Sequence, residues 1–244
     1  MRTSRSIAVV IPVVGLAAFA GSASAAIFTF SDASLTGLGA QAQFTLNSST
    51  SIEVRLRNTS TAVPAGFSNS DQILTGISFD LPSGVVITGG TAQIGVDSFT
   101  VNFSSGNYGS GTNIGGEWGF GNAGISGALR NAISGNQAGI TAFGGPNLDG
   151  PGALSGPQGG LVADPVVVPM GGLGAISNEA VFNVSLSAAV SSLDFLAQNG
   201  VRVEFGSDAA FITTWTPEDA SVPAPSGLAM LAVVTMTTLR RRRA

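Results

Sequence analysis

The sequence contains no cysteine, no histidine and no lysine, and charged residues make up only 10% of its 244 residues. An ordinary soluble domain carries roughly 25% charged residues. Without histidine or cysteine, the chain cannot form a Ser-His-Asp triad, a Cys-His nucleophile pair, an ordinary zinc site or a thiolate-bound iron–sulfur cluster. Without lysine it can form neither a Schiff base nor a P-loop phosphate contact. Because no disulfide can form, the stability of any extracellular fold must come from its core.

The N-terminal 26 residues have the pattern of a secretory signal peptide. Two arginines precede an apolar segment over 7–21, and small residues follow it, as in a signal-peptidase cleavage site. These small residues are Ala23, Ala25 and Ala26. Pro12 and the shortness of the apolar segment argue against the alternative, a permanent N-terminal membrane anchor. We therefore expect residues 1–26 to be a signal peptide that is removed on export.

The C-terminus carries three successive elements: a proline motif, an apolar run over 227–239 and a basic cluster. The motif and the cluster consist of Val222, Pro223, Ala224, Pro225, Ser226, Arg240, Arg241, Arg242 and Arg243. As a helix the apolar run would span about 20 Å, which is short of the roughly 30 Å hydrocarbon core of a bilayer. Positive charge beside an apolar segment stays cytoplasmic. We therefore expect a short membrane helix that serves as a transient signal and leaves the rest of the chain outside.

This tail resembles the PEP-CTERM sorting signal of Gram-negative bacteria, in which Pro-Glu-Pro precedes a membrane segment and an arginine-rich end. The match covers residues Val222 to Arg243, and Ala224 stands where the family motif has glutamate. The resemblance implies export, processing by a membrane-embedded exosortase near the proline motif, and release or attachment at the cell surface. It also implies an association with exopolysaccharide and with biofilm or floc formation. The implied partners are thus the export machinery, an exosortase-type enzyme and exopolysaccharide.

The segment between the two ends is strongly acidic. All fourteen acidic residues but only four arginines fall within 27–221, which gives this segment a net charge of −10. The whole-chain value of −4 hides this charge, because the other six arginines lie in the two ends. Nucleic-acid binding requires a basic surface that neutralises phosphates. The charge therefore argues against nucleic acid as a partner.

Several segments of 27–221 alternate apolar and polar residues with a period of two, which is typical of half-buried antiparallel strands. These segments are 41–47, 51–58, 75–81, 97–103, 180–186, 201–205 and 211–215. The pattern places Phe99, Val101 and Phe103 on one face, and likewise Phe211, Thr213 and Trp215. Helical spacing occurs only in 186–197 and ends at Asn199-Gly200. We predict an all-β fold, a single antiparallel β-sandwich that is jelly-roll-like.

Residues 106–174 contain 21 of the 34 glycines. Glycine weakens strand interiors but permits tight turns. Aromatic residues interrupt this stretch, namely Tyr108, Trp118, Phe120 and Phe143. Because aromatic side chains gain much from burial, we predict long ordered loops that pack down on a sheet rather than a disordered segment.

Paired carboxylates are the one kind of general acid–base chemistry that the composition permits. Glu117, next to Trp118, is the best candidate, but no second acidic residue lies near it in the sequence. We favour the alternative in which Trp118 and Phe120 pack in the core or the loops while Glu117 faces water. The chain is accordingly predicted not to be an enzyme.

Oxygen-rich turns at 69–71, 147–150 and 207–208 contain residue types that bind calcium. None has the spacing of an EF-hand, and ordinary Asx turns explain such clusters. We therefore predict no metal and no cofactor.

Two functions of different classes remain. The first is a non-catalytic structural protein displayed at the cell surface or within an extracellular matrix. The second is a carbohydrate-binding module in which Tyr108, Trp118 or Trp215 stacks on sugar rings. A carbohydrate-active enzyme that uses Glu117 ranks third.

Overall fold

The alternating segments of the sequence form strands that assemble into two sheets. The computed structural model describes residues 25–122, 127–131, 140–146, 148, 158–207 and 209–218. All of them belong to one unit of the chain, Ala23–Pro223, and the other unit, 1–22 and 224–244, lies outside the described residues. Within the described part there are fifteen strands, one α-helix (α1, Asp194–Asn199) and two 3-10 turns (Ala33–Leu35 and Asn69–Gln72).

Six strands form a sheet in which every neighbouring pair is antiparallel. Its order across the sheet is β15 (Trp215–Glu218), β1 (Ala25–Ser31), β2 (Gly39–Ser48), β3 (Ser51–Asn58), β12 (Glu179–Leu186) and β5 (Ile87–Ile94). The first three strands of the chain are neighbours because short connections join them. β12 and β5 then complete the sheet from distant parts of the sequence.

The other nine strands form a second sheet, antiparallel except for the parallel pair β10–β11. Seven of them lie in the order β6 (Thr100–Val101), β11 (Ala175–Ser177), β10 (Leu161–Val162), β4 (Leu74–Phe79), β8 (Gly127–Asn131), β7 (Trp118–Gly121) and β9 (Ile140–Ala142). β13 (Val201–Phe205) pairs with β4 and with β14 (Ala210–Ile212). All six residues of β4 are buried.

The main core lies between the two sheets. β3 buries Ile52, Val54 and Leu56, and side chains of β4 and β13 belong to the same apolar cluster. Rings from the two sheets meet edge to face at Phe44 and Phe79, whose centroids are 5.1 Å apart. Because each fully buried side chain of this size contributes about 1.5–3 kcal/mol, this cluster supplies the stability that no disulfide can.

The predicted antiparallel all-β character is confirmed, and the predicted faces are correct for β3 and β12. The prediction for 97–103 is wrong, because only Thr100–Val101 is a strand. Asp97 and Asn102 both have positive φ and interrupt the alternation. Phe99 is consequently 45% exposed while Phe103 is buried.

Two further expectations require correction. In the last predicted strand it is Ala210 and Ile212 that face the core, whereas Phe211 is 40% exposed. The predicted helix over 186–197 is reduced to α1, although it ends at Gly200 as expected, where φ is 87°. Val190 and Leu193 are buried ahead of the helix, so their spacing reflects packing of an irregular segment.

Residues 112–122 of the glycine-rich region pair with β5, one edge of the six-stranded sheet. Ile94 N–H donates to the Thr112 carbonyl and Ile114 N–H to the Ala92 carbonyl, each at 2.9 Å. At the start of the same strand, the Asn122 side-chain amide accepts from Ile87 N–H and donates to the Ile87 carbonyl, also at 2.9 Å. Backbone groups that an open edge would expose are thereby paired. The opposite edge, β15, contains Pro217, which has no N–H to offer a further strand.

No helix within the described residues combines the length and the apolar character needed to cross a membrane. The segment 227–239, where the sequence predicts a membrane helix, lies outside the described residues.

Candidate functional site

The residues of the two predicted processing signals fall mainly outside the described part of the chain. Ala23, the proline motif 222–226 and the arginine cluster 240–243 are not among the described residues. Ala25 and Ala26 are, and they begin β1, opposite Thr45 and Phe44 of β2. Cleavage after Ala26 would therefore remove the first two residues of β1 and leave Ile27 as the first residue of that strand.

Trp118 lies in the core at the start of β7. Its side chain is fully buried, its Nε1–H donates to the Gly159 carbonyl at 3.1 Å, and its ring lies 5.0 Å from that of Phe182. Because the indole presents no exposed face, it has no surface on which a sugar could stack. The structure therefore places Trp118 among packing residues.

The expectation that Glu117 faces water is wrong. Its side chain is fully buried, and its Oε1 accepts a hydrogen bond from Leu148 N–H at 2.6 Å. A charge-assisted bond of this kind partly compensates a buried carboxylate for the water it has lost. Glu117 thus connects two distant positions of the glycine-rich region, its own and that of Leu148, and this contact is structural.

Tyr108 and Trp215 are both half-buried and pack against the main core. Trp215 stands edge to face against Phe28, with centroids 4.9 Å apart. The Tyr108 hydroxyl contacts the Ser105 carbonyl at 3.5 Å, and the Tyr108 N–H donates to the Thr100 hydroxyl at 2.8 Å. These two rings belong to different regions of the fold, Trp215 to the edge strand of the six-stranded sheet and Tyr108 to a loop beside β6.

The oxygen-rich turn at 69–71 is part of the 3-10 turn Asn69–Gln72. The Asp71 Oδ2 accepts from Ser68 N–H at 2.7 Å and so caps the start of Asn69–Gln72. Within the described residues, no group of three or more acidic side chains converges to hold a metal ion. Residues 147, 149, 150 and 208 of the other two turns are not described.

A cleft of about 560 Å³ lies where β3 ends. Two chain segments line it, 57–61 and 163–167, together with Asn178. Asn178 sits where the chain leaves β11 of one sheet and enters β12 of the other, with a φ of 69°. The volume falls within the roughly 300–1,000 Å³ of small-molecule sites. Because the crossing between sheets brings distant segments together here, this cleft is the candidate functional site.

The floor of the cleft is fixed by Asn58, which is buried. Its Nδ2 donates to the carbonyls of Gln72 and Leu161 at 2.7 and 2.8 Å, and its Oδ1 accepts from Ser60 N–H at 2.9 Å. Its backbone N–H donates to the Asn178 carbonyl at 3.0 Å. A fully bonded buried amide holds its neighbours in one arrangement, so the cleft is preformed.

One wall of the cleft belongs to a strap, residues 163–173, which packs over a second small core of Ile73, Val162, Met170 and Ala175. Gln72 fastens the strap, because its Nε2 donates to the Val168 carbonyl at 2.8 Å and its Oε1 accepts from Val168 N–H at 3.4 Å. Asn69 Nδ2 adds a bond to the Pro169 carbonyl at 3.1 Å. These side-chain groups bond to the backbone of the strap and so hold it in place, as neighbouring strands would in a sheet.

The two arginines at the end of β3 differ in whether they form ion pairs. Arg55 joins two strands, with its Nε 2.9 Å from Glu53 Oε1 and its Nη1 3.4 Å from Glu179 Oε1. Burial raises the pKa of Glu179 above its usual value, and the nearby Arg55 and then Arg57 partly oppose that rise. Arg57 is exposed, and both ion pairs found in the described part of the chain belong to Arg55.

Sequence reasoning did not find the cleft. Its lining residues come from 57–61, 163–167 and Asn178, which lie far apart in the sequence, and none of them forms a recognisable motif. Two features of the sequence could have pointed to it. One is Asn58, a polar residue at an inward-facing position of the alternating segment 51–58, and the other is Asp164-Pro165, which follows a short apolar run. Among the described residues that line the cleft, Asp164 is the only one with a carboxylate.

No family model, no curated protein and no solved structure matches this chain.

Proposed function

We propose that this chain is an exported, non-catalytic protein of the cell surface or extracellular matrix, processed at its C-terminus by an exosortase-type enzyme. One observation carries the proposal: the order of a Pro-Ala-Pro motif at 223–225, an apolar run and four terminal arginines, paired with a signal-like N-terminus. A buried C-terminal helix would not account for four consecutive arginines. In this account the export machinery and the exosortase are the partners, and exopolysaccharide is the surrounding material.

The described fold supports a structural role for the exported part. Glu117 accepts a backbone hydrogen bond, residues of the glycine-rich region pair with one edge of the six-stranded sheet, and Pro217 removes one N–H from the opposite edge. Covering an edge strand or placing a proline in it hinders pairing with strands of other chains. We further propose that the two sheets form a jelly-roll-like β-sandwich over 27–221, between a signal peptide at 1–26 and the sorting tail at 222–244.

Deleting residues 222–244 tests the sorting proposal in the host bacterium. We expect the deleted protein to be exported and folded but to disappear from the membrane and surface fractions, because the retention signal is gone. A matched variant, in which Arg240, Arg241, Arg242 and Arg243 are all changed to Gln, should show the same loss while keeping the tail's length. Fractionation identical to that of the unaltered protein for both variants would refute the proposal.

A second candidate function, carbohydrate binding, is favoured by the cleft at the end of β3. The lining of the cleft includes the charged side chains of Arg57 and Asp164 and the hydroxyl of Thr59. Apolar surface is supplied by Pro165 and Val166. Sugars offer both hydroxyl groups and apolar ring faces, so such a mixed lining suits them. A glycan array probed with the full-length chain tests this candidate. Loss of binding in Arg57→Gln would indicate the cleft, and loss in Trp215→Ala would indicate stacking on the sheet edge.

A further inference from the structure

The cleft contains an exposed cation that forms no ion pair with a carboxylate of the described residues. Arg57 ends β3, its side chain is exposed, and it lines the cleft. Arg55, two residues earlier on the same face of the strand, is held by Glu53 and Glu179. Across from Arg57 in the register stand Gln41 and Glu179, yet the Glu179 carboxylate lies against Arg55. The guanidinium of Arg57 is therefore available to a ligand.

A single positive charge has particular weight in this domain. The segment 27–221 has a net charge of −10 and only four arginines. Of these, Arg55 is ion-paired, and Arg202 lies over the ring of Phe211 at 5.4 Å. A general electrostatic attraction for anions is thus absent, so an anionic ligand has to be recognised by direct contact. A guanidinium matches a carboxylate with two parallel hydrogen bonds, which makes that contact selective.

The segment 163–167 supplies complementary chemistry. Asp164 is exposed, no hydrogen bond or ion pair fixes it within the described residues, and its carboxylate can accept hydrogen bonds from hydroxyl groups. Pro165, Val166 and Val167 offer apolar surface beside it. The cleft thus presents a carboxylate-binding group, a hydroxyl-binding group and an apolar surface on a floor that Asn58 holds rigid.

We propose that this cleft binds an acidic saccharide, that is, a sugar that carries a carboxylate. Arg57 pairs with the ligand carboxylate, Asp164 accepts from ring hydroxyls, and the Pro165–Val167 surface packs against the C–H face of the ring. Because the floor and the strap are already bonded in place, little ordering is needed on binding. This inference rests on the carbohydrate-binding candidate and assigns its site and its ligand class. It is independent of how the tail is processed.

Isothermal titration of the purified full-length chain with trigalacturonic acid and with its fully methyl-esterified form tests the proposal. The two probes share ring and hydroxyls and differ in the carboxylate charge. The acid should bind, and the ester should bind at least about tenfold more weakly, as expected for the loss of charged hydrogen bonds. No binding of the acid, or equal affinity for acid and ester, overturns the inference. Equal binding of both would leave carbohydrate binding itself standing.

Variants then locate the site. Arg57→Gln should lower affinity for the acid by about tenfold or more and leave affinity for the ester nearly unchanged. Asp164→Ala should weaken both ligands, because it removes the hydroxyl contact. Arg202→Gln is the control: it removes the same charge from β13 of the other sheet, outside the cleft lining, and should alter affinity for the acid by less than about threefold. Thermal unfolding confirms that each variant is folded. Unchanged binding in Arg57→Gln, or an equal loss in Arg202→Gln, would contradict the assignment.

Discussion

The ring of Trp118, in the nine-stranded sheet, lies 5.0 Å from the ring of Phe182, in the six-stranded sheet. This contact joins the two sheets through a side chain that comes from the glycine-rich region. The indole N–H also bonds to the Gly159 carbonyl, so Trp118 connects three parts of the fold that are far apart in sequence.

Replacing Trp118 by alanine should therefore affect stability and not ligand recognition. Removal of a buried indole leaves a cavity, with an expected loss of about 3–5 kcal/mol in the free energy of unfolding. Urea unfolding followed by circular dichroism measures this loss. Trp215→Ala is the control, because its half-buried ring at the sheet edge should cost clearly less. Equal losses in the two variants would show that Trp118 does not bridge the sheets as described.

Asn58→Ala should destabilise the protein. In the unaltered protein the Asn58 side chain bonds to two buried carbonyls and one N–H, and the substitution leaves these three groups without that partner. The expected loss is at least about 2 kcal/mol, since each unsatisfied buried group costs about 1–3 kcal/mol. Asn47→Ala serves as the control, because Asn47 makes one exposed bond, to Asn183 at 3.2 Å. Chemical denaturation should find the control within about 0.5 kcal/mol of the unaltered protein. A similarly small change for Asn58→Ala would mean that the cleft floor is not rigid.

Gly119 is required by close approach of two backbones. A Cβ at this position would lie 2.6 Å from the Thr141 carbonyl oxygen and 2.7 Å from Ile140 Cγ2. Gly119→Ala should consequently cost about 1–3 kcal/mol, the usual penalty of overpacking. Gly109→Ala is a matched control from the same region, because a Cβ there meets no atom within 4 Å. Thermal unfolding of the two variants measures the difference, and we expect a lower Tm for Gly119→Ala than for Gly109→Ala. A shift in Tm of the same size in both would argue against the β7–β9 contact.

The raised pKa of Glu179 makes stability depend on pH in a defined direction. The folded state binds the Glu179 proton more tightly than the unfolded chain, so the contribution of this group falls as pH rises from the ordinary value of 4.5 through the higher folded pKa. Glu179→Gln removes this pH-dependent loss of stability, because glutamine does not titrate. Its stability relative to the unaltered protein should therefore improve with increasing pH across this window, as measured by urea unfolding at several pH values.

Asp32 serves as a control, because its pKa is shifted in the opposite direction and its contribution to stability should change with pH in the opposite sense. Hydrogen bonds from the Ser34 hydroxyl, and next from the Ser34 N–H, lower the pKa of the Asp32 carboxyl. Its stabilising contribution is present above the ordinary value of 3.8 and is lost as pH falls through the folded pKa. Asp32→Asn should accordingly lose stability relative to the unaltered protein only at the higher pH values. The same trend in both variants would contradict these assignments.

The strands with strict alternation were predictable because one face of each is buried and the other is wet. In β3, Ile52 and Val54 point inward while Glu53 and Arg55 form an ion pair outside. Phe211 misled the same reasoning: its ring stays at the surface beneath Arg202, and Ile212 takes the core position instead. Apolar character alone does not tell which of two adjacent apolar residues faces inward.

The candidate site was not predictable, because it depends on contacts between distant segments. Nothing in the local sequence around Arg57 shows that Asp164 lies in the same cleft, since a crossing between the two sheets at Asn178 brings them together. The burial of Glu117 was missed for a similar reason. Its partner, Leu148, lies 31 residues away in the glycine-rich region.

Intact mass spectrometry of the protein recovered from the surface of its native host tests the central proposal most directly. Processing at both ends predicts a chain that begins near residues 25–27 and ends near the proline motif at 222–226, with the apolar run and the four terminal arginines removed. A mass that still includes residues 227–243 in the surface-exposed protein would contradict it.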